Sequence, residues 1–141
     1  MRRALFAVFV LLAGFAPALA DVLIEESPGG EATSFLAFFE AVRKSGQRVV
    51  IDGPCFSACT LVLSVVPHGR ICVTRRAVLG FHAPKLVDAL GNERSAPEAT
   101  RIVAEAYPAP VRAWIRRHGG LTRRPIFLSG LELSRIYPRC G

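Results

Sequence analysis

Apolar positions along the chain fall into short blocks divided by glycine, proline and polar residues, and their spacing alternates between the periods of strands and helices. Val22 to Ile24 reads as a short strand running into Ser27-Pro28-Gly29-Gly30, after which Phe35, Phe38, Phe39 and Val42 recur at helical spacing until Gly46. Arg48 to Ile51 is a second, β-branched strand broken by Gly53-Pro54. Ser57 to Val66 predicts a buried helix ended by Pro67 and Gly69. Ile71 to Val73 and Val78 to Phe81 predict further strands, and Pro97 to Ala106 and Val111 to His118 predict helices divided by Pro108-Ala109-Pro110. Gly119-Gly120 closes the second helix, Ile126 to Leu128 predicts a last strand, and Leu131 to Ile136 a helical turn before the tail from Tyr137 to Gly141. This alternation predicts an α/β fold, a small, mostly parallel sheet with helices on its faces.

The block from Met1 to Ala20 stands apart. Arg2 and Arg3 precede an apolar run from Ala4 to Phe15, and Ala18-Leu19-Ala20 has the small-x-small form of a signal-peptidase site. The run is shorter than the ~20 residues that span a bilayer, and Pro17 follows it. Residues 1–20 therefore read as a cleaved signal peptide with no lipid-bearing cysteine at the cut, and residues 21–141 as one α/β domain in the periplasm or outside the cell.

The composition of the whole chain, 51% hydrophobic and 21% charged, excludes a disordered chain, and residues 1–20 supply part of that apolarity. The net charge of +7 falls to +5 when Arg2 and Arg3 are removed. The pairs Arg75-Arg76, Arg116-Arg117 and Arg123-Arg124 carry no interleaved aromatic residues and read as solvated faces, so no nucleic-acid partner is expected. Arg112 and Arg116 share one helix face, while Trp114 and Ile115 pack inward.

Cys55, Cys59, Cys72 and Cys140 are an even set in an exported chain, which argues for two disulfides among three possible pairings. A bridge from Cys140 would pin the tail. Zinc ligation by Cys55, Cys59 and Cys72 with His68 or His82 is the weaker reading, because Cys-x3-Cys lacks a second tight pair. Free, redox-active Cys55 and Cys59 would lack the Cys-x-x-Cys spacing. No cofactor or metal is expected.

Candidate chemistry gathers at three turns. Ser57 follows a strand and opens an apolar helix, which would project its hydroxyl from the carboxyl edge of the sheet and turn the Ala58 N–H toward a developing oxyanion. Gly29 or Gly30, without a side chain, would let a second N–H approach a substrate carbonyl. His82 ends a later strand and would be the general base for Ser57. Taken singly, Ser57 reads as a helix cap, Gly29-Gly30 as a turn and His82 as a satisfied strand-end histidine; their order along the chain makes the combination informative.

In that order, Ser27-Pro28-Gly29-Gly30, Gly53-Pro54-Cys55-Phe56-Ser57-Ala58, Ala77-Val78-Leu79-Gly80-Phe81-His82-Ala83-Pro84 and Phe127-Leu128-Ser129 resemble the proteolytic subunit of the Clp protease (ClpP) and the wider ClpP/crotonase superfamily. The likeness spans nearly all of the mature chain and is nearest to small exported ClpP-like proteins of unassigned function with a G-x-C-x-S-A-C segment. It implies a ClpP/crotonase-like fold with Ser57 as nucleophile, His82 as base, and Gly29 or Gly30 with Ala58 as oxyanion hole. A peptide or ester substrate and a homo-oligomer follow from the same likeness, although loss of the family's first strand and helix would remove ring contacts. Pro125 stands where the family's catalytic Asp is matched, so the third triad member is absent; Asp88, Glu25 and Glu26 are the candidate substitutes. Export separates the chain from any ATP-driven unfoldase. Lys85 offers a Ser-Lys dyad instead, which requires a buried lysine, and an acyl-CoA substrate is not expected outside the cytoplasm. The sequence thus leaves two functions, a serine hydrolase with a Ser-His site and a catalytically silent binding module on the same fold.

Overall fold

The structure is a computed structural model and describes residues 20–141. Apart from Ala20, the leader assigned to residues 1–20 lies outside the described residues. In chain order the elements are β1 (Val22–Ile24), α1 (Ala32–Ser45), β2 (Val49–Ile51), β3 (Pro54–Phe56), a 3-10 turn (Ser57–Leu61) running into α2 (Val62–Val65), and a 3-10 turn at His68–Arg70. They continue with β4 (Ile71–Val73), β5 (Val78–Phe81), β6 (Lys85–Val87), β7 (Glu93–Ser95), α3 (Pro97–Ala106), α4 (Ala109–Arg117), β8 (Ile126–Ser129) and α5 (Gly130–Ser134).

Helix α1 starts where the Glu31 carboxylate accepts from the N–H groups of Thr33 and Ser34, at 2.9 and 2.7 Å, and stops at Gly46 in a left-handed conformation. Its Phe39 and Val42 are buried, whereas Phe38, expected on the same face, is half exposed. Pro97 and Pro108 stand at the starts of α3 and α4, where a missing N–H costs nothing.

The fold is mixed α/β, but the single mostly parallel sheet expected from the sequence is two three-stranded sheets and a hairpin. Strands β1, β2 and β4 are parallel, with Val22 beside Val49 and Val49 beside Ile71. Val49, Ile51, Ile71 and Val73 are all buried, as in a parallel sheet covered on both faces. Strand β3 pairs with β5 in parallel, and β8 closes β5 on its other side in antiparallel fashion.

The division has a local cause at Gly53. A side chain there would overlap the Glu25 carbonyl oxygen, so only glycine permits the bend from β2 to β3. The backbone ladder crosses that bend: Asp52 N–H donates to Ile24, and one step on Ser27 N–H donates to Pro54 while Phe56 N–H donates to Ser27. The second sheet thus continues the first with Ser27 as its extra rung.

Two other expectations change. Ser57 to Val66 is a 3-10 turn followed by one short α turn, and the segment after Pro84, for which the sequence predicts no strand, is the exposed β6–β7 hairpin. The core reaches the site through Phe81, whose ring lies 5.3 Å from Tyr107 and 5.9 Å from Trp114, centroid to centroid. Truncating aromatic side chains packed in this way costs roughly 3–5 kcal/mol, so α4 is firmly tied to the strand that leads into His82.

Candidate functional site

The sheet register brings three turns together. Ser27 pairs with Cys55 on one side of β3, and Phe56 pairs with Gly80 on the other. Gly29, Ser57 and the residues at the end of β5 therefore leave the sheet side by side, on chains spaced roughly 4.8 Å apart. His82 follows Phe81, the last residue of β5.

Ser57 has φ +53°, the one positive value outside glycine among the described residues. Such a conformation costs of order 1–3 kcal/mol and persists only where its surroundings enforce it. Four features do so. Gly29, itself at φ +88°, lies so close that a Cβ there would be 2.6 Å from Ser57 Cβ and 3.0 Å from the Ala58 nitrogen. Cys55, at the centre of β3, is bridged to Cys59 in the turn, so the disulfide spans Ser57. Thr60 Oγ1 donates to the Ser57 carbonyl at 2.7 Å. The Tyr107 hydroxyl in turn lies 2.6 Å from Thr60 Oγ1, inside the core, where burial pushes the Tyr107 phenol up to about 12. Since Thr60 spends its proton on Ser57, Tyr107 is the donor of that pair.

The two glycines divide their roles. Gly29 permits the close approach, and its N–H faces Ser27 Oγ at 3.4 Å. Gly30 has only an ordinary contact, the Phe35 ring 3.4 Å from where a Cβ would stand, and an N–H without a hydrogen-bond partner among the described residues. Ala58 N–H, in the first turn after Ser57, likewise has no partner within that turn.

His82 lines a cavity of about 530 Å³ together with Lys85, Glu93, Thr122, Arg123 and Pro125. Its Nδ1 lies 2.8 Å from the Ala83 carbonyl oxygen. Ser57 does not line this cavity, and no hydrogen bond joins its hydroxyl to His82 among the described residues.

The residues considered as third members are placed elsewhere. Asp88 is held inside the hairpin turn by Asn92 and Leu90, whose hydrogen bonds keep its carboxyl below the usual range. Glu25 and Glu26 line a separate depression with Phe35 and Phe38. Pro125 does share the cavity with His82 but has no group to offer the imidazole. The carboxylate in that cavity is Glu93, which is ion-paired with Lys85. The Lys85 hydrogen bond is the main cause of a lowered Glu93 carboxyl, with smaller contributions from Arg123 and His82. Lys85 is half exposed and engaged in this pair, so it lacks the burial a Ser-Lys dyad needs.

The second disulfide joins Cys72 to Cys140 and pins the tail to β4. With all four cysteines bridged, neither the zinc set of Cys55, Cys59 and Cys72 nor a free-thiol site is available. No group of three or more potential metal ligands is assembled among the described residues. Two disulfides are compatible with an exported protein, and no described helix is long and apolar enough to cross a membrane. Arg112, read as part of a solvated face, instead donates to the Glu105 and Tyr107 carbonyls and ties α3 to α4.

Thr60 and Tyr107 are the site residues that sequence reasoning missed. Thr60 stood in an apolar run with nothing to mark it, and its partner is 47 residues away. No family model matches the chain, and no curated protein matches it.

Proposed function

We propose that the chain is a serine hydrolase of ClpP/crotonase-like type, acting on a peptide or ester carbonyl, with Ser57 as nucleophile and His82 as general base. The observation that carries this reading is the enforced positive φ of Ser57, packed against Gly29 at the end of a strand whose parallel neighbour leads to His82. Strained residues of this kind are a feature of nucleophile turns.

In the proposed reaction Ser57 Oγ bonds to the substrate carbonyl carbon while its proton passes to His82 Nε2. The oxyanion is received by the N–H groups of Gly30 and Ala58, each such donor being worth roughly 10²–10³ in rate. Collapse breaks the bond to the leaving alcohol or amine, which takes the proton from His82. Water then repeats the sequence on the acyl-enzyme, releasing the acid and restoring Ser57. Ser57 and His82 are not hydrogen-bonded in this structure, so substrate binding has to bring them within reach, as is common for catalytic hydrogen bonds before the substrate complex forms.

Hydrolysis of p-nitrophenyl esters by the oxidised protein tests the proposal. Activity abolished by both Ser57→Ala and His82→Ala supports it; activity that survives Ser57→Ala overturns it. The position of Ser57 outside the His82 cavity favours one second reading, a binding module that uses the cavity without chemistry. Saturable ligand binding at His82 by a protein inert toward every ester would select that reading.

A further inference from the structure

The missing carboxylate leaves the question of what orients His82. We propose that the Ala83 backbone carbonyl takes that part, holding the imidazole as its Nδ1–H tautomer and leaving the Nε2 lone pair as the base. The inference deepens the hydrolase reading and, as a claim about catalysis, rests on it.

A carbonyl oxygen only accepts, so at 2.8 Å from Nδ1 it requires the proton to sit on Nδ1. An acceptor is useful only if it is fixed, and this one is. Ala83 N–H donates to the Thr122 carbonyl at 2.8 Å. The Thr122 loop is itself closed, its Oγ1 donating to the Arg124 carbonyl at 3.1 Å and accepting from Arg124 N–H at 3.2 Å. On the other side Pro84 restricts the backbone of Ala83 to extended conformations. The loop that carries Pro125 therefore still acts on the histidine, through the Ala83 peptide and without a charged group.

The charge census agrees. Glu93 is the carboxylate of the His82 cavity, and its hydrogen bond is to Lys85. The wrong tautomer costs a triad about 10⁴ in rate, and a carbonyl avoids that loss. It is neutral, however, and stabilises the imidazolium less than a carboxylate does. A correctly oriented but slow base is the expected result.

The two other histidines supply internal controls. His68 Nε2 lies 2.6 Å from the Ile136 carbonyl, which demands the opposite, Nε2–H form, and His118 Nδ1 lies 2.8 Å from the Trp114 carbonyl, which demands Nδ1–H. Long-range proton–nitrogen NMR spectra of ¹⁵N-histidine-labelled protein, recorded where the rings are neutral and assigned with single His→Gln variants, read all three. His82 with a protonated Nδ1 and an unprotonated Nε2, unchanged in Glu93→Gln, is the expected result. An Nε2–H form of His82, rapid exchange between tautomers, or a tautomer that changes in Glu93→Gln overturns the inference. The same samples are treated with a fluorophosphonate probe. Nδ1–H with labelling supports the carbonyl's role in the site, whereas Nδ1–H in a protein that never labels refutes the hydrolase reading and with it any catalytic role for the carbonyl.

Discussion

The two disulfides make opposite demands on stability and on the site. In the chain-entropy account a crosslink stabilises by closing a loop in the unfolded chain, more so for longer loops. Cys55–Cys59 closes a separation of 4 residues and Cys72–Cys140 one of 68. The corresponding losses on removal are about 2 and about 4 kcal/mol. At roughly 4 °C per kcal/mol for a domain of this size, Cys55→Ala/Cys59→Ala lowers Tm by ~8 °C and Cys72→Ala/Cys140→Ala by ~16 °C. Reactivity follows the reverse order. The short bridge spans the strained Ser57, and releasing 1–3 kcal/mol of enforced geometry slows its reaction by roughly tenfold to a hundredfold. The long bridge is anchored at β4 and the tail, away from Ser57, and its removal leaves the rate within about threefold while the protein stays folded. Differential scanning calorimetry and fluorophosphonate labelling kinetics at 20 °C measure both quantities on the same samples. Equal slowing by the two variants, or no slowing by Cys55→Ala/Cys59→Ala, would refute the reasoning that the short bridge holds the nucleophile turn.

Gly29→Ala combines a left-handed backbone with contacts of 2.6 Å to the Phe56 carbonyl and Ser57 Cβ. Urea unfolding is expected to show a loss of roughly 2–3 kcal/mol with labelling abolished, whereas Gly30→Ala, with the Phe35 ring 3.4 Å away, stays within about 0.5 kcal/mol. Tyr107→Phe removes the donor to Thr60 and costs about 1 kcal/mol in the same assay; Thr60→Val, which also frees the Ser57 carbonyl, costs more and slows labelling further. The N–H and hydroxyl groups of Thr33 and Ser34 hold the Glu31 carboxyl at about 2, below its ordinary 4.5. Because the folded value is the lower one, its contribution to stability is complete above pH 4.5 and disappears as pH falls toward 2, and Glu31→Gln flattens the dependence of Tm on pH across that window.

Much of the fold was legible because local rules agreed with the final packing. Pro97 to Ala106 is the helix the sequence predicts, residue for residue, since a proline start and a proline stop leave no ambiguity. The strands Val22–Ile24, Ile71–Val73 and Val78–Phe81 were equally clear. The division into two sheets was not, because it depends on how closely Gly53 approaches Glu25, a tertiary fact carried by a single residue. Strand β3 was hidden for the same reason: Pro54 reads as a breaker, yet at the first position of a strand its missing N–H is harmless. At the site, the order of the Gly29, Ser57 and His82 turns was visible, and the register sets those turns side by side. The supports were not visible. The Cys55–Cys59 pairing, the Thr60–Tyr107 bond and the Ala83 carbonyl contact all arise from geometry that spacing leaves open.

The central claim is that Ser57 is an activated nucleophile. Treating the oxidised protein with a fluorophosphonate and mapping the adduct by peptide mass spectrometry tests it directly. The account predicts one phosphonate on Ser57, slow to form and absent in His82→Ala. A folded, oxidised protein that takes up no phosphonate, or takes it up at another residue, contradicts it.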